Sequence, residues 1–430
     1  MIETDFDVIV VGAGCAGCVA AYELAKAEKS VLVVERGNYA GAKNMTGGRI
    51  YTHSLRKVFP DFENEAPLER KIAHERLSFI APSSNMTIDF SSAEMQDPKQ
   101  DSYSVLRGPF DQWLASKAED AGAEFIYGIA IEDLYEEDGA ICGVVAGEDT
   151  ITAKIVILAD GANSLLTPKA VGAKVPLAHQ MAVGIKQTIE LPSKVIEDRA
   201  LCNPGEGAAW LFVGDATYGH VGGGFVYTNK ESISIGLVAT LSDLATSSKP
   251  IYQMLEDFKK HPTVAPLIRD GKLVEHSGHM VPEAGLNMMP PLYGNGVLLA
   301  GESAMMCMNL GYQVRGMDFA VSAGQAAAAT AVKAIESEDV SAQSLSDYKS
   351  RLEQSYVLKD LQTFKGFPHY MENTTRLFNE YPLLAADVLN ALFIVDGTPQ
   401  APVRKRLPKY LKGVGYGKLF KDLRGGLKAL

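Results

Sequence analysis

The residues with the clearest capacity for chemistry stand near the start of the chain. Gly12, Gly14 and Gly17, with Ala13, Cys15 and Ala16 between them, are spaced G-x-G-x-x-G directly after an apolar run, Asp7–Val11. In this pattern the first glycine permits a tight turn and the second lets backbone approach a pyrophosphate. The third lets a helix pack closely on a strand. A helix opening here offers unpaired N–H groups and the positive end of its dipole to phosphates. A second apolar run, Ser30–Val34, ends at Glu35, at the separation expected for an acceptor of adenosine ribose hydroxyls. Together these residues predict a dinucleotide site, without separating a flavin from a nicotinamide.

Other stretches bear on that chemistry. Residues 41–49, which include Lys43, Gly47, Gly48 and Arg49, form a glycine-rich polar loop, expected to be a second backbone nest against the cofactor. Two further apolar runs end in Asp160-Gly161 and Gly301-Glu302. Cys15 and Cys18 form a C-x-x-C, a spacing that elsewhere serves redox pairs or zinc. Astride the third glycine they read as small packing residues. Five scattered cysteines are too few and too dispersed for an iron–sulfur cluster, and the eight histidines show no ligand spacing. Gly222-Gly223-Gly224 sits in a strand-like pattern with no helix after it, so it reads as a bulge or close backbone approach rather than a second dinucleotide fold. Redox chemistry is therefore expected from a bound cofactor, without a separate nicotinamide domain.

The elements that must position these residues follow from periodicity. A helix is predicted over Pro109–Gly122, a hairpin around Glu137-Asp138-Gly139, and a β-rich region over about 178–280 with one helix, Ile251–Lys260. Gly316–Glu336 is a long Ala-rich helix suited to close packing. At 430 residues, two or three compact units are expected. The division is 1–75, 103–177 and 281–345 for a discontinuous nucleotide-binding domain, 76–102 and 178–280 for a β-rich lid domain, and 346–430 for a helical C-terminal region. Apolar content of 47% and charge of 22% are ordinary for a globular protein. No membrane-spanning run and no leader peptide is read, so a cytoplasmic location is expected. The net charge of −11 is uneven: from Val403 onward nine Lys/Arg face one acid, Asp422, so this tail carries +8 and the preceding residues −19. The tail reads as a solvated face, a dock for an acidic redox partner, or a peripheral contact with anionic lipid. The acidic body excludes nucleic acid.

The order of the three glycine motifs, with Glu35-Arg36-Gly37, Arg107, Phe110-Asp111-x-Trp113-Leu114, Met280-Val-Pro-Glu283 and Asn309-Leu-Gly-x-x-x-Arg-Gly-Met-Asp, resembles the FAD-dependent electron-transfer flavoprotein:quinone oxidoreductase group, most closely its FixC-like branch. Geranylgeranyl reductase-like enzymes share the group's architecture. The resemblance implies an α/β class with an α+β second domain: a glutathione-reductase-type FAD-binding Rossmann-like fold, an inserted antiparallel sheet and a helical C-terminal region. It implies that Gly12–Gly17 takes the pyrophosphate of FAD and Glu35 the ribose. Arg36, residues 43–49 and Arg107 would line the cofactor, with Asp160-Gly161 close by. Gly301-Glu302 would reach the ribityl chain, and a helix beginning near Gly311 would aim its positive end at the flavin. One departure is Glu302-Ser-Ala-Met-Met, where the family has Asp followed by small residues. The implied partners are an electron-transfer flavoprotein as donor and a separate ferredoxin-like protein or a quinone as acceptor. A flavin-dependent prenyl reductase and a non-catalytic FAD-binding subunit stay open as alternatives.

Overall fold

Val8, Ile9, Val10 and Val11 are almost completely buried, as a strand covered on both faces of a parallel sheet requires. In the computed structural model, which describes residues 4–43 and 48–430, the strand Phe6–Val11 lies at the centre of the first sheet. It runs parallel to Val31–Glu35 on one side and Asp149–Leu158 on the other. Glu124–Tyr127 and Val297–Leu299 extend this parallel core outward. The ends of its central strands carry the glycine turn, Glu35, Asp160-Gly161 and Gly301-Glu302. A meander of Asp133–Glu137 and Ala140–Ala146 leads into Asp149–Leu158. Its turn uses Asp138 and Gly139 in the left-handed region (φ 53° and 77°), as the predicted hairpin requires.

The second sheet has nine strands. Lys272–Pro282, Met181–Glu190, Ser232–Thr240, Gly222–Thr228 and Glu206–Gly214 are antiparallel neighbours in that order. Glu206–Gly214 then pairs in parallel with Leu68–Ala81, which continues to Ser102–Val105 and Arg49–Tyr51. Strand pairing thus brings Arg49–Tyr51 and Ser102–Val105 into this sheet, in or beside stretches assigned above to the nucleotide-binding side. Gly222–Gly224 stays in regular register, so it is a close approach and not a bulge: a Cβ on Gly223 would stand 2.5 Å from the Phe212 carbonyl oxygen.

Two helices fix the site from behind. Cys15–Lys26 follows the glycine turn, and Met317–Glu336 lies against it. A Cβ on Gly324 would stand 2.4 Å from the Ala16 carbonyl oxygen, so the helices meet backbone to backbone. The small residues of the long helix exist for this contact. The last residues form three helices, Val403–Arg406, Pro408–Val414 and Tyr416–Ala429. Asp422, the one acid of the basic tail, is buried. It accepts from Arg376 Nε at 2.6 Å and Nη2 at 2.8 Å and from the Tyr381 hydroxyl, so it anchors the final helix. Among the described residues no helix is long and apolar enough to cross a membrane.

Gly324→Ala sets two effects of opposite sign against each other. Helix propensity favours alanine by about 1 kcal/mol, whereas overpacking costs about 1–3 kcal/mol, here against backbone that cannot rotate away. Net destabilisation is expected, read as a lower urea midpoint with an unchanged slope. A midpoint equal to or above that of the wild type would contradict the close helix contact.

Candidate functional site

The strand ends of the first sheet enclose an outer groove of about 70 Å³. Gly12, Ala13, Gly14, Glu35, Arg36, Lys43, Asp160, Gly161 and Glu302 all line it, so residues scattered over 290 positions converge as the motifs predict. Gly12 holds φ +100°, and a Cβ there would stand 2.5 Å from the Ala159 carbonyl oxygen on the neighbouring strand. The helix after it starts at Cys15 with no side-chain cap and no acid in its first turn, leaving its N-terminal end available to an anion. The Glu35 carboxylate is buried and accepts from the Ala13 N–H at 2.9 Å and the Gly37 N–H at 2.6 Å. Ser303 joins two strand ends: its hydroxyl donates to Asp160 Oδ1 at 2.9 Å and accepts from the Gly161 N–H at 2.8 Å. Burial raises the Asp160 carboxyl above its usual range.

Cys15, Ala16 and Gly17 stand behind the groove, buried in the core. Both thiols of the C-x-x-C are free. Burial pushes Cys15 up to about 12, with its sulfur 3.7 Å from Asp111 Oδ1, and pushes Cys18 well above its usual value. These are inert packing groups, as expected. Gly47 lies outside the described residues.

On the other side of Glu302 lies an inner cavity of about 230 Å³, and Glu302 lines both spaces. Gly48, Arg49, Arg107 and Gly311 line this cavity too. Each cavity arginine is locked by an acid behind it. Arg107 makes a fork to Asp111, Nε–Oδ1 at 2.9 Å and Nη2–Oδ2 at 2.8 Å, and both residues are buried. Arg49 donates to Glu75, with Nη1–Oε2 at 2.9 Å, and its guanidinium lies 4.4 Å from the centre of the Tyr51 ring. Arg315, absent from the expected site, donates from Nε to Asp318 at 2.9 Å and from Nη1 to Asp360 at 2.6 Å. Gly48 is pressed against the Tyr227 ring, 2.5 Å from a Cβ there.

The helix expected near Gly311 begins later. Gly311 (φ +76°) is in the turn between Met308–Asn309 and Val314–Arg315, where its N–H donates to Asn309 Oδ1 at 2.9 Å. The helix starts at Met317, after Gly316, and both residues line the inner cavity. Its positive end therefore stands at the cavity wall, with the second hairpin strand, Val314–Arg315, between it and Gly311. The unusual residues after Glu302 leave the cavity clear: Met305 and Met306 turn into the core, Met305 in the left-handed region (φ 58°). Glu302 itself stands 3.6 Å from Nε2 of His279, a histidine sequence spacing did not single out.

Glu283 is a third residue missed, after Arg315 and His279. It follows the edge strand Lys272–Pro282, its N–H donates to the Gln180 carbonyl at 2.8 Å, and its Oε2 accepts from Asn309 Nδ2 at 3.3 Å. Burial raises its carboxyl from the usual 4.5 to about 7. The only sequence signal was its place in Met280-Val-Pro-Glu283, where nothing marks it as enclosed. A raised carboxyl stabilises the fold fully below its unfolded value, and this contribution is lost as pH rises through the folded value. The stability of wild type relative to Glu283→Gln is expected to fall by up to about 3 kcal/mol between pH 4.5 and pH values above 7, measured by urea unfolding. A pH-independent difference would show that Glu283 titrates as an ordinary exposed carboxylate.

An uncapped helix end over a glycine turn, a buried carboxylate beyond it and two spaces that share Glu302 in their walls fit an extended FAD. Residues 7–92 match the family model described as FAD dependent oxidoreductase, and residues 367–430 match the ETF-QO/FixC family C-terminal domain. Protein FixC of Escherichia coli (strain K12) is 50% identical over 430 residues, all of both chains. A probable electron transfer flavoprotein-quinone oxidoreductase of the same organism, YdiS, is 49% identical over 432 residues, again all of both. Among solved structures, a geranylgeranyl bacteriochlorophyll reductase-like protein of Thermoplasma acidophilum superposes with a TM-score of 0.74, covering 98% of this chain and 99% of its own at 19% identity, and so shares the fold. The expected α/β class with a helical C-terminal region and the FAD cofactor are thus established. The chain belongs to the FixC and electron-transfer flavoprotein–quinone oxidoreductase family of FAD-dependent oxidoreductases.

Proposed function

We propose that this oxidoreductase takes electrons from an electron-transfer flavoprotein and passes them to a quinone or to a separate ferredoxin-like protein. The observation that supports the reading is a groove at the glycine turn and an inner cavity walled by arginines and a helix N-terminus, with Glu302 in the wall of both. FAD, when bound, supplies the redox chemistry. The Gly12–Gly17 turn holds the pyrophosphate against the Cys15–Lys26 helix, and Glu35 accepts the ribose hydroxyls. Arg36, Lys43 and Asp160-Gly161 close the outer groove over it. Gly301-Glu302 stands at the neck between chambers and meets the ribityl chain. The longer glutamate is accommodated there because Met305 and Met306 are buried away from the path.

In the inner cavity the Met317 helix end favours a negative charge by about 0.3–1 kcal/mol. Arg49, Arg107 and Arg315 add fixed positive charge that needs no reorganisation, since each is already held by its acid. The five cysteines are scattered through the chain, so an iron–sulfur acceptor would be supplied by a separate protein. The final helix bears exposed Phe420, Leu423 and Leu427 among Lys418, Lys421, Arg424 and Lys428. This composition supports peripheral contact with an anionic membrane surface, where a quinone would be met.

The test is anaerobic reduction of the FAD-loaded protein, followed by flavin absorbance, with NADH, NADPH and a reduced electron-transfer flavoprotein as alternative donors. Rapid bleaching by the flavoprotein and slow bleaching by both nicotinamides is expected. Rapid bleaching by NADH or NADPH alone would overturn the proposed route.

A further inference from the structure

Behind the inner cavity lies a second chamber of about 170 Å³, on the side of the Phe367–Asn373 helix. Four residues line both spaces: Val221, Thr240, Glu283 and Met371. Three of them cannot exchange a proton near neutrality, and the fourth is a carboxyl. Glu283 also borders a small void beneath, beside Lys365. The titratable and charged groups facing it are therefore known on each side. Toward the inner cavity stand Glu302, Cys307, Tyr227 and the arginines 49, 107 and 315. Of these the arginines are held by their acids, while burial pushes the Cys307 thiol and the Tyr227 hydroxyl up, away from exchange. Toward the outer chamber stand His179, His369 and Glu372, with His369 78% exposed at the rim. Among the described residues, Asn309 donates to Oε2 of the Glu283 carboxyl at 3.3 Å, and Glu283 lines both chambers.

We propose that Glu283 carries protons between the outer chamber and the inner cavity. This rests on the reading that a two-electron acceptor is reduced in that cavity. When a quinone takes two electrons there from the reduced holoprotein, its oxygens need two protons. The Glu283 O–H breaks and an O–H forms on one quinone oxygen, leaving a carboxylate. The carboxylate then takes a proton from hydronium that enters by the outer chamber, past His179 and His369, and the reprotonated carboxyl gives the second proton to the other oxygen, completing the hydroquinone. Charge is thereby balanced in the cavity, and desolvation raises the carboxyl so that it holds a proton near neutrality.

The experiment uses FAD-loaded protein reduced chemically, so a different physiological electron donor would leave its outcome unchanged. Reoxidation by a water-soluble benzoquinone is followed by flavin absorbance from about pH 5 to pH 9, in water and in deuterium oxide. The wild-type rate is expected to fall about tenfold through a transition near pH 7, with a solvent isotope effect. Glu283→Gln is expected to be slower by about tenfold or more below the transition and to lose both the transition and the isotope effect. Glu283→Asp is expected to restore part of the rate with a displaced transition, and retained flavin absorbance shows that each variant is folded. Infrared spectra of the flavin-free protein supply an independent readout: a protonated carboxyl band that titrates near pH 7 and is missing from Glu283→Gln. A wild-type profile flat across pH 7, a variant that keeps the wild-type transition, or a band unaffected by the substitution would overturn the proposal.

Discussion

The architecture depends on the backbone contact between two helices, Cys15–Lys26 and Met317–Glu336. Gly324 removes the Cβ that would strike the Ala16 carbonyl, and Gly17 removes the one that would strike the Gly12 carbonyl at 1.9 Å. A Cβ on Gly301 would lie 3.1 Å from that of Ala16 and 3.5 Å from that of Ala320, so this glycine is wedged between both helices. These three absences set the spacing of strand, helix and helix. They also bring two helix N-termini to one path, the first beside the outer groove and the second at the inner cavity. Each end favours negative charge at the space it borders.

The three arginines of the inner cavity are each held by an acid, and a carboxyl group stands in the wall shared with each neighbouring space. Arg49, Arg107 and Arg315 each spend hydrogen bonds on an acid outside the cavity, so their charge is oriented before anything binds. Glu302 marks the boundary between groove and cavity, and Glu283 the boundary between cavity and outer chamber. Asp422 plays the same anchoring part for the tail that Asp111 plays for Arg107. The tail's one acidic side chain is spent on Arg376 and Tyr381, while its cations other than the half-buried Arg406, which donates to the Ala391 carbonyl, are exposed.

The outer groove was legible in the sequence because it is made by strand ends. A glycine or acid that closes a buried apolar run can be placed without knowing what packs on it, which is why Gly12, Glu35, Asp160 and Glu302 converge as expected. The inner cavity was less legible because its walls come from elements whose patterns are weak. Lys272–Pro282 is a polar edge strand with little alternation, so its register, and with it the positions of His279 and Glu283, emerge only from pairing with Met181–Glu190. The helix itself was legible, since its pattern placed it at Gly316–Glu336; the start near Gly311 came only with the family resemblance, and Gly311 lies instead at the turn of an eight-residue hairpin, Met308–Arg315.

A crystal structure of the FAD-loaded protein tests the central claim most directly. The pyrophosphate should lie on the Gly12–Gly17 turn, the ribityl chain beside Glu302, and the flavin ring in the inner cavity against Gly316 and Met317. A flavin ring outside that cavity, or a cofactor whose chain does not pass Glu302, would contradict the account.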